Sequence, residues 1–379
     1  MRRGLALVLA AGLVACAPAG EERPSGLASV LPPPVPGALP PPVGSELVMP
    51  LGYGANVVAA DLVDPRAVVI SPSGQVYVVE GTSARLTRVE AGGTLFPVAT
   101  GGGNGPWTGA AMLDGRLYVA EAGGPLGGRI LEIGDHGAIA ALPARLPAGG
   151  LLGPLAAGPD GWLYVGVASP GRAGRDIPCR NLRLAGGGEI SGTVPCTGSV
   201  LRISRDGRRI EAYAWGFRRP VSLAFTPSGQ LLVADDVTEG VGGGKFPAER
   251  APDMLWAAVP GLWYGWPQAA GELASSEPEL AALPNPPPAP AATIPGRVAA
   301  VTVVPESTRA FGPAGRPLVV FDAPSGTGQV TIADTANGGE KRFIGNLADP
   351  SALAFAPNGT ALWIADAGTG RLWKVTAFQ

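Results

Sequence analysis

The feature that most restricts this chain is a short unit that returns six times. Its fullest form is Thr226-Pro227-Ser228-Gly229-Gln230-Leu231-Leu232-Val233-Ala234-Asp235, a Pro-x-Gly turn followed by an apolar strand that ends on an acid. Earlier copies run over Ser71–Glu80, Asp114–Glu121 and Gly158–Val165, and later ones over Pro313–Asp322 and Ala356–Asp366. A turn residue set between two β-branched or aromatic runs is hairpin chemistry. The copies carry glycines at Gly74, Gly115, Gly161, Gly229, Gly315 and Gly359, spaced 41, 46, 68, 86 and 44 residues apart. The three short intervals match one four-stranded propeller blade each, and the two long ones hold one blade plus inserted chain. The expectation is an all-β, six-bladed β-propeller over residues 47–379.

Composition agrees with many short strands joined by tight turns. Glycine (58) and proline (41) are abundant, yet 46% of residues are hydrophobic, too many for a solvated coil. Charged residues make up only 15% and the formal net charge is −2, so there is no basic field to draw in nucleic acid. The two long intervals place inserted chain at 168–198 and 237–297. Loops at one end of a propeller surround the channel mouth, so function is expected there.

The N-terminus reads as an export signal. Met1-Arg2-Arg3 precedes an apolar run from Leu5 to Val14, too short to span a bilayer. The run ends in Leu13-Val14-Ala15-Cys16, which resembles a bacterial lipobox with Cys16 as the lipidated residue. Residues 1–16 are thus expected to be a lipoprotein signal, and the Pro-rich 17–46 a spacer to the membrane. Cys179 and Cys196 remain, and in an exported protein that pair is expected to form a disulfide contributing about 3 kcal/mol.

Other motifs carry less. The only histidine, His136, lies in Gly134-Asp135-His136-Gly137 and reads as a solvated turn residue. Gly242-Gly243-Gly244-Lys245 is no phosphate loop, because Glu239 stands where the first glycine belongs and Phe246 follows the lysine.

One stretch is more specific. Tyr213-Ala214-Trp215-Gly216-Phe217-Arg218-Arg219-Pro220-Val221-Ser222-Leu223, the repeat that follows it, and Gly261-Leu262-Trp263-Tyr264-Gly265-Trp266-Pro267 together resemble the glucose/sorbosone dehydrogenase family. The resemblance covers most of the chain from Leu47 onward. It implies a six-bladed quinoprotein that oxidises aldoses or related sugars with pyrroloquinoline quinone (PQQ) and calcium. It implies cofactor contacts at Arg218, Arg219 (Asn in the family) and Tyr264, and calcium ligands at Asp235 and Asp236. The family base is a histidine just before the Gly158-Pro159-Asp160-Gly161 strand, and a second histidine aligns near Arg297. Neither exists here, which leaves Asp236 as the expected substitute base. A non-catalytic surface binding module and a calcium-dependent gluconolactonase-type hydrolase are the alternative readings.

Overall fold

The computed structural model describes residues 47–124, 127–147, 151–170, 183–184, 197–237, 252–266, 287–322, 327–335 and 339–378. The signal, the spacer, Cys16, Cys179, Cys196 and the Gly242–Lys245 run lie outside them. No helix among the described residues is long and apolar enough to cross a membrane.

The described strands form six sheets, antiparallel throughout except for the short strand Arg183–Leu184, which joins the edge of the third in parallel. Their innermost strands are Pro65–Ile70, Trp107–Leu113, Leu152–Ala157, Pro220–Phe225, Arg297–Val303 and Pro350–Phe355. Successive inner strands pack side by side, and the sixth returns to the first. The ring is closed by the chain's own ends. The first strand, Tyr53–Ala59, pairs antiparallel with the last, Arg371–Ala377, and completes the sixth blade. The fold is a six-bladed β-propeller.

All six repeat glycines sit at the turn between the first and second strands of a blade. Each has positive φ, from 67° at Gly359 to 86° at Gly74, a conformation that is costly for a residue with a Cβ. This is why the turn glycine recurs while its neighbours vary.

The strand after each turn is apolar at nearly every position, because both faces of a blade are covered. In the fourth blade Leu231 and Val233 enter the seam with the third blade, while Leu232 and Ala234 enter the seam with the fifth. In the second blade Tyr118 and Ala120 face the third, and Leu117 and Val119 face the first. Six buried clusters fill the six seams. At about 1.5–3 kcal/mol per fully buried large aliphatic side chain, these seams are the main source of stability.

The stretch 237–297 differs from expectation. It is not one insertion, since it contains Asp253–Ala258 and Ala292–Ile294, the third and fourth strands of the fourth blade. The residues between these strands hide the strand periodicity in the sequence.

Candidate functional site

The inner strands enclose a channel of about 390 Å³ along the propeller axis. Each pairs with its neighbour through a register shift at the same place, just after its first residue or two, as at Pro65/Ala67, Pro220/Ser222 and Pro350/Ala352. A bulge bends the strand and re-aims the side chain it carries. Here the bulges turn Arg66, Thr108 and Ser351 to one end of the channel, among its lining residues. Hydroxyls there stitch blades together. Thr108 Oγ1 donates to the Gly153 carbonyl at 3.0 Å, Ser222 Oγ accepts from the Val301 N–H at 3.0 Å, and Ser351 Oγ donates to the Pro65 carbonyl at 2.5 Å.

The residue entering each inner strand is fixed in a repeated way. The carbonyls of Asp64, Pro106, Leu151, Arg219 and Asp349 each accept the N–H of a residue near or just past the end of the second strand of the same blade: Gly81, Ala122, Ala168, Asp236 and Ala367. These five positions are therefore structurally equivalent and ring one mouth of the channel. Three of them, Asp64, Arg219 and Asp349, are charged and precede proline, which favours an extended approach to the strand.

The acid that closes the repeat serves as the latch for this entry. Asp235 Oδ1 and Oδ2 accept the N–H groups of Arg219 (2.6 Å) and Arg218 (3.1 Å). Asp366 accepts from Asp349 (2.7 Å) and Ala348 (3.2 Å) in the sixth blade. Glu80 accepts from the Val63 N–H (2.8 Å) and pairs with Arg85 in the first. Burial pushes the Asp235 carboxyl up to about 6, against the opposing pull of the two backbone donors. Asp235, expected as a calcium ligand, thus has both oxygens engaged with backbone N–H groups, as Asp366 has in the last blade. Among the described residues no group of three or more His, Cys, Asp or Glu is placed to hold a metal ion.

Asp236, the expected substitute base, follows Asp235 in the chain. Its side chain is 0% exposed and ion-paired with Arg219.

The two segments that carry the family resemblance meet in space. The N–H of Gly261 donates to Tyr213 O, that of Trp215 to Leu262 O, that of Tyr264 to Trp215 O and that of Trp266 to Gly216 O. Gly216 is required by this arrangement. Its φ is +87°, and a Cβ there would lie 2.4 Å from Trp263 Cδ1. The zipper delivers Trp266 to Arg218, whose guanidinium stands 5.4 Å from the indole centroid and donates to the Ser169 carbonyl at 3.4 Å. Tyr264, the third expected cofactor contact, packs at a corner of the fold. It is 2% exposed, stacks on Phe217 at 4.7 Å, donates to Ala257 O and accepts from the Val259 N–H. Its ring and its hydroxyl are both engaged within the protein.

Across the mouth lies a second charged group that sequence reasoning did not single out as a site. Arg297 Nη2 is 2.6 Å from Asp322 Oδ2 and 3.1 Å from Asp349 Oδ1. Arg66 pairs with Asp64 at 2.6 Å. The signal for Asp349 was present as the charged-residue-plus-proline pair that opens an inner strand, shared with Arg219-Pro220. His136 lies in the turn between the third and fourth strands of the second blade, at the opposite end of the strands from the mouth, exposed and with φ 56°. As it is the only histidine in the sequence, the mouth has none.

No family model matches the chain, and no curated protein matches it. Solved structures do. The PQQ-bound aldose sugar dehydrogenase of Streptomyces coelicolor is 19% identical with a TM-score of 0.62, over 87% of this chain and 99% of that one. A putative oxidoreductase (glucose dehydrogenase) from Thermus thermophilus is 20% identical with a TM-score of 0.60, over 86% and 100%. A gluconolactonase from Xanthomonas campestris is 17% identical with a TM-score of 0.55, over 86% and 89%. The chain therefore has the six-bladed propeller fold of the PQQ-bound sugar dehydrogenase and of the lactonase.

Proposed function

We propose that this chain is a PQQ-dependent, sugar dehydrogenase-like protein of the cell envelope whose catalysis departs from the family scheme. The observation that carries the reading is Arg218 held between Trp266 and the Ser169 carbonyl at the channel mouth. PQQ is planar and carries three carboxylates. An arginine fork matches a carboxylate in shape and charge, and arginines gathered at one mouth suit such a group. Arg218 and Arg219 would hold it. Bound PQQ supplies an acceptor for two electrons and a hydrogen from a sugar carbon. The propeller's part is to orient the sugar over the mouth and to take its hydroxyl proton.

Calcium enters as an arm of the test, since Asp235 is engaged by backbone N–H groups and Asp236 by Arg219. The absence of any histidine at the mouth favours one second reading, a propeller that binds a ligand at the surface without turning it over. A lactonase-type hydrolase shares the fold but needs several ligands converging on one calcium ion.

The export reading rests on the sequence alone. It holds that Cys16 is lipidated and that residues 17–46 tether the propeller to a membrane. Loss of palmitate labelling in Cys16→Ser would support it, and unchanged labelling would refute it.

The test of function is to add PQQ, with and without calcium, to the purified protein. Melting temperature and dye reduction with a panel of aldoses are the readouts. A rise in melting temperature that disappears in Arg218→Ala supports cofactor binding. A rise without dye reduction favours the binding module, and no rise rejects the cofactor reading.

A further inference from the structure

Proton removal from a sugar hydroxyl needs a base at the mouth, with a lone pair facing the ligand and an affinity for protons above that of an ordinary surface carboxylate. No histidine is available and Asp236 is enclosed, so the base must be sought among the other carboxylates of the mouth. Asp64 is spent. Its Oδ2 accepts from the Thr82 N–H (3.0 Å) and hydroxyl (2.5 Å), and its Oδ1 pairs with Arg66. Asp235 and Asp366 are buried latches. Asp322 is mostly buried and pairs with Arg297.

Asp349 differs from all of these. Its side chain is 49% exposed, and among the described residues its ion-pair partner, Arg297 Nη2 at 3.1 Å, engages Oδ1. Its backbone is pinned on both sides, the N–H donating to Asp366 and the carbonyl accepting from Ala367. It occupies in the sixth blade the position that Arg219 occupies in the fourth, so it borders the same mouth as the expected cofactor contacts. We propose that Asp349 is the proton acceptor of this protein, oriented by Arg297 and presenting Oδ2 to a sugar hydroxyl; the inference rests on the PQQ-dehydrogenase reading above. The sugar O–H bond breaks and its proton passes to Asp349 Oδ2. Bound PQQ would supply the two-electron oxidant for the hydrogen and electron pair of the C–H bond, so that the carbon would be left as C=O.

The surroundings suit this role. Burial and the Asp322 charge push the Asp349 carboxyl above the ordinary aspartate value, with Asp366 adding in the same direction, while Arg297 and Arg66 pull it down. The arginine that orients the base sits where the family's second histidine aligns.

The test uses the full chain and three readouts. Asp349→Asn is expected to keep the PQQ-induced rise in melting temperature and to lose dye reduction by about 100-fold or more. Asp322→Asn is expected to move the rising limb of the pH profile of turnover to lower pH. In the cofactor-free wild type, the Asp349 carboxyl followed by carbon-13 NMR is expected to titrate above the ordinary value and to fall in Asp322→Asn. Turnover in Asp349→Asn with the wild-type pH profile would overturn the assignment, as would titration of Asp349 at the ordinary value. No PQQ-induced rise in the wild type would sink the underlying reading and the inference with it. A rise in both proteins with equal turnover would sink the inference alone, and binding without turnover in the wild type would also contradict it.

Discussion

Arg218 stands with its guanidinium 5.4 Å from the ring centroid of Trp266, although 48 positions separate the two residues in the chain. The contact exists because the segment 261–266 zips onto 213–216 and brings the indole to the mouth. A planar cation beside an aromatic face contributes on the order of 0.5–2 kcal/mol, and the stem is held in place for a carboxylate. Arg218→Lys keeps the charge and loses the fork. It is expected to weaken PQQ binding by about tenfold in isothermal titration, with Arg218→Ala showing no measurable binding.

Gly216 is the hinge of that zipper. Gly216→Ala places a Cβ against Trp263 in a backbone region that disfavours it. Strain of about 1–2 kcal/mol adds to the clash, so urea unfolding should show a loss of more than about 2 kcal/mol. Gly161→Ala is the control. Its φ is +76° but nothing lies within 4 Å of the new methyl, so only the strain of about 1–2 kcal/mol is expected.

Tyr264→Phe separates the corner role from a cofactor role. It removes one donor and one acceptor from the backbone at Ala257 and Val259. The expected result is a loss of about 1–3 kcal/mol in stability, with PQQ affinity unchanged. A selective loss of affinity at unchanged stability would restore Tyr264 as a cofactor contact.

Asp235 sets a pH signature on stability. Its carboxyl titrates at about 6 in the folded chain against 3.8 as the ordinary value. The folded state therefore takes up the proton first as pH falls. The stabilisation is fully present below about 4 and is lost as pH rises through about 6, by roughly 3 kcal/mol at most. Asp235→Asn lacks this component. Wild type should gain on the variant in urea unfolding as pH falls from 7 to 4.5, and a constant difference across that range would contradict the assignment.

The blade count was legible because each blade needs one glycine turn and one doubly buried strand, and both leave marks that survive sequence drift. The site was legible only in part. Arg218 and Arg219 stand out as a charged pair beside Pro220. Asp235 resembled a ligand when that segment was read alone. Its recurrence as Glu80, Glu121, Asp322 and Asp366 was the available signal that the acid belongs to the blade. The Trp266 contact was not legible, because it depends on a parallel pairing between segments whose spacing carries no period. The role of Tyr264 was hidden for the same reason.

The most direct test of the central claim is calorimetric titration of PQQ into the wild-type protein and into Arg218→Ala. Saturable binding in the wild type that is lost in the variant, while both unfold at the same urea concentration, is the predicted result. Equal binding by the two proteins, or none by the wild type with and without calcium, would contradict it.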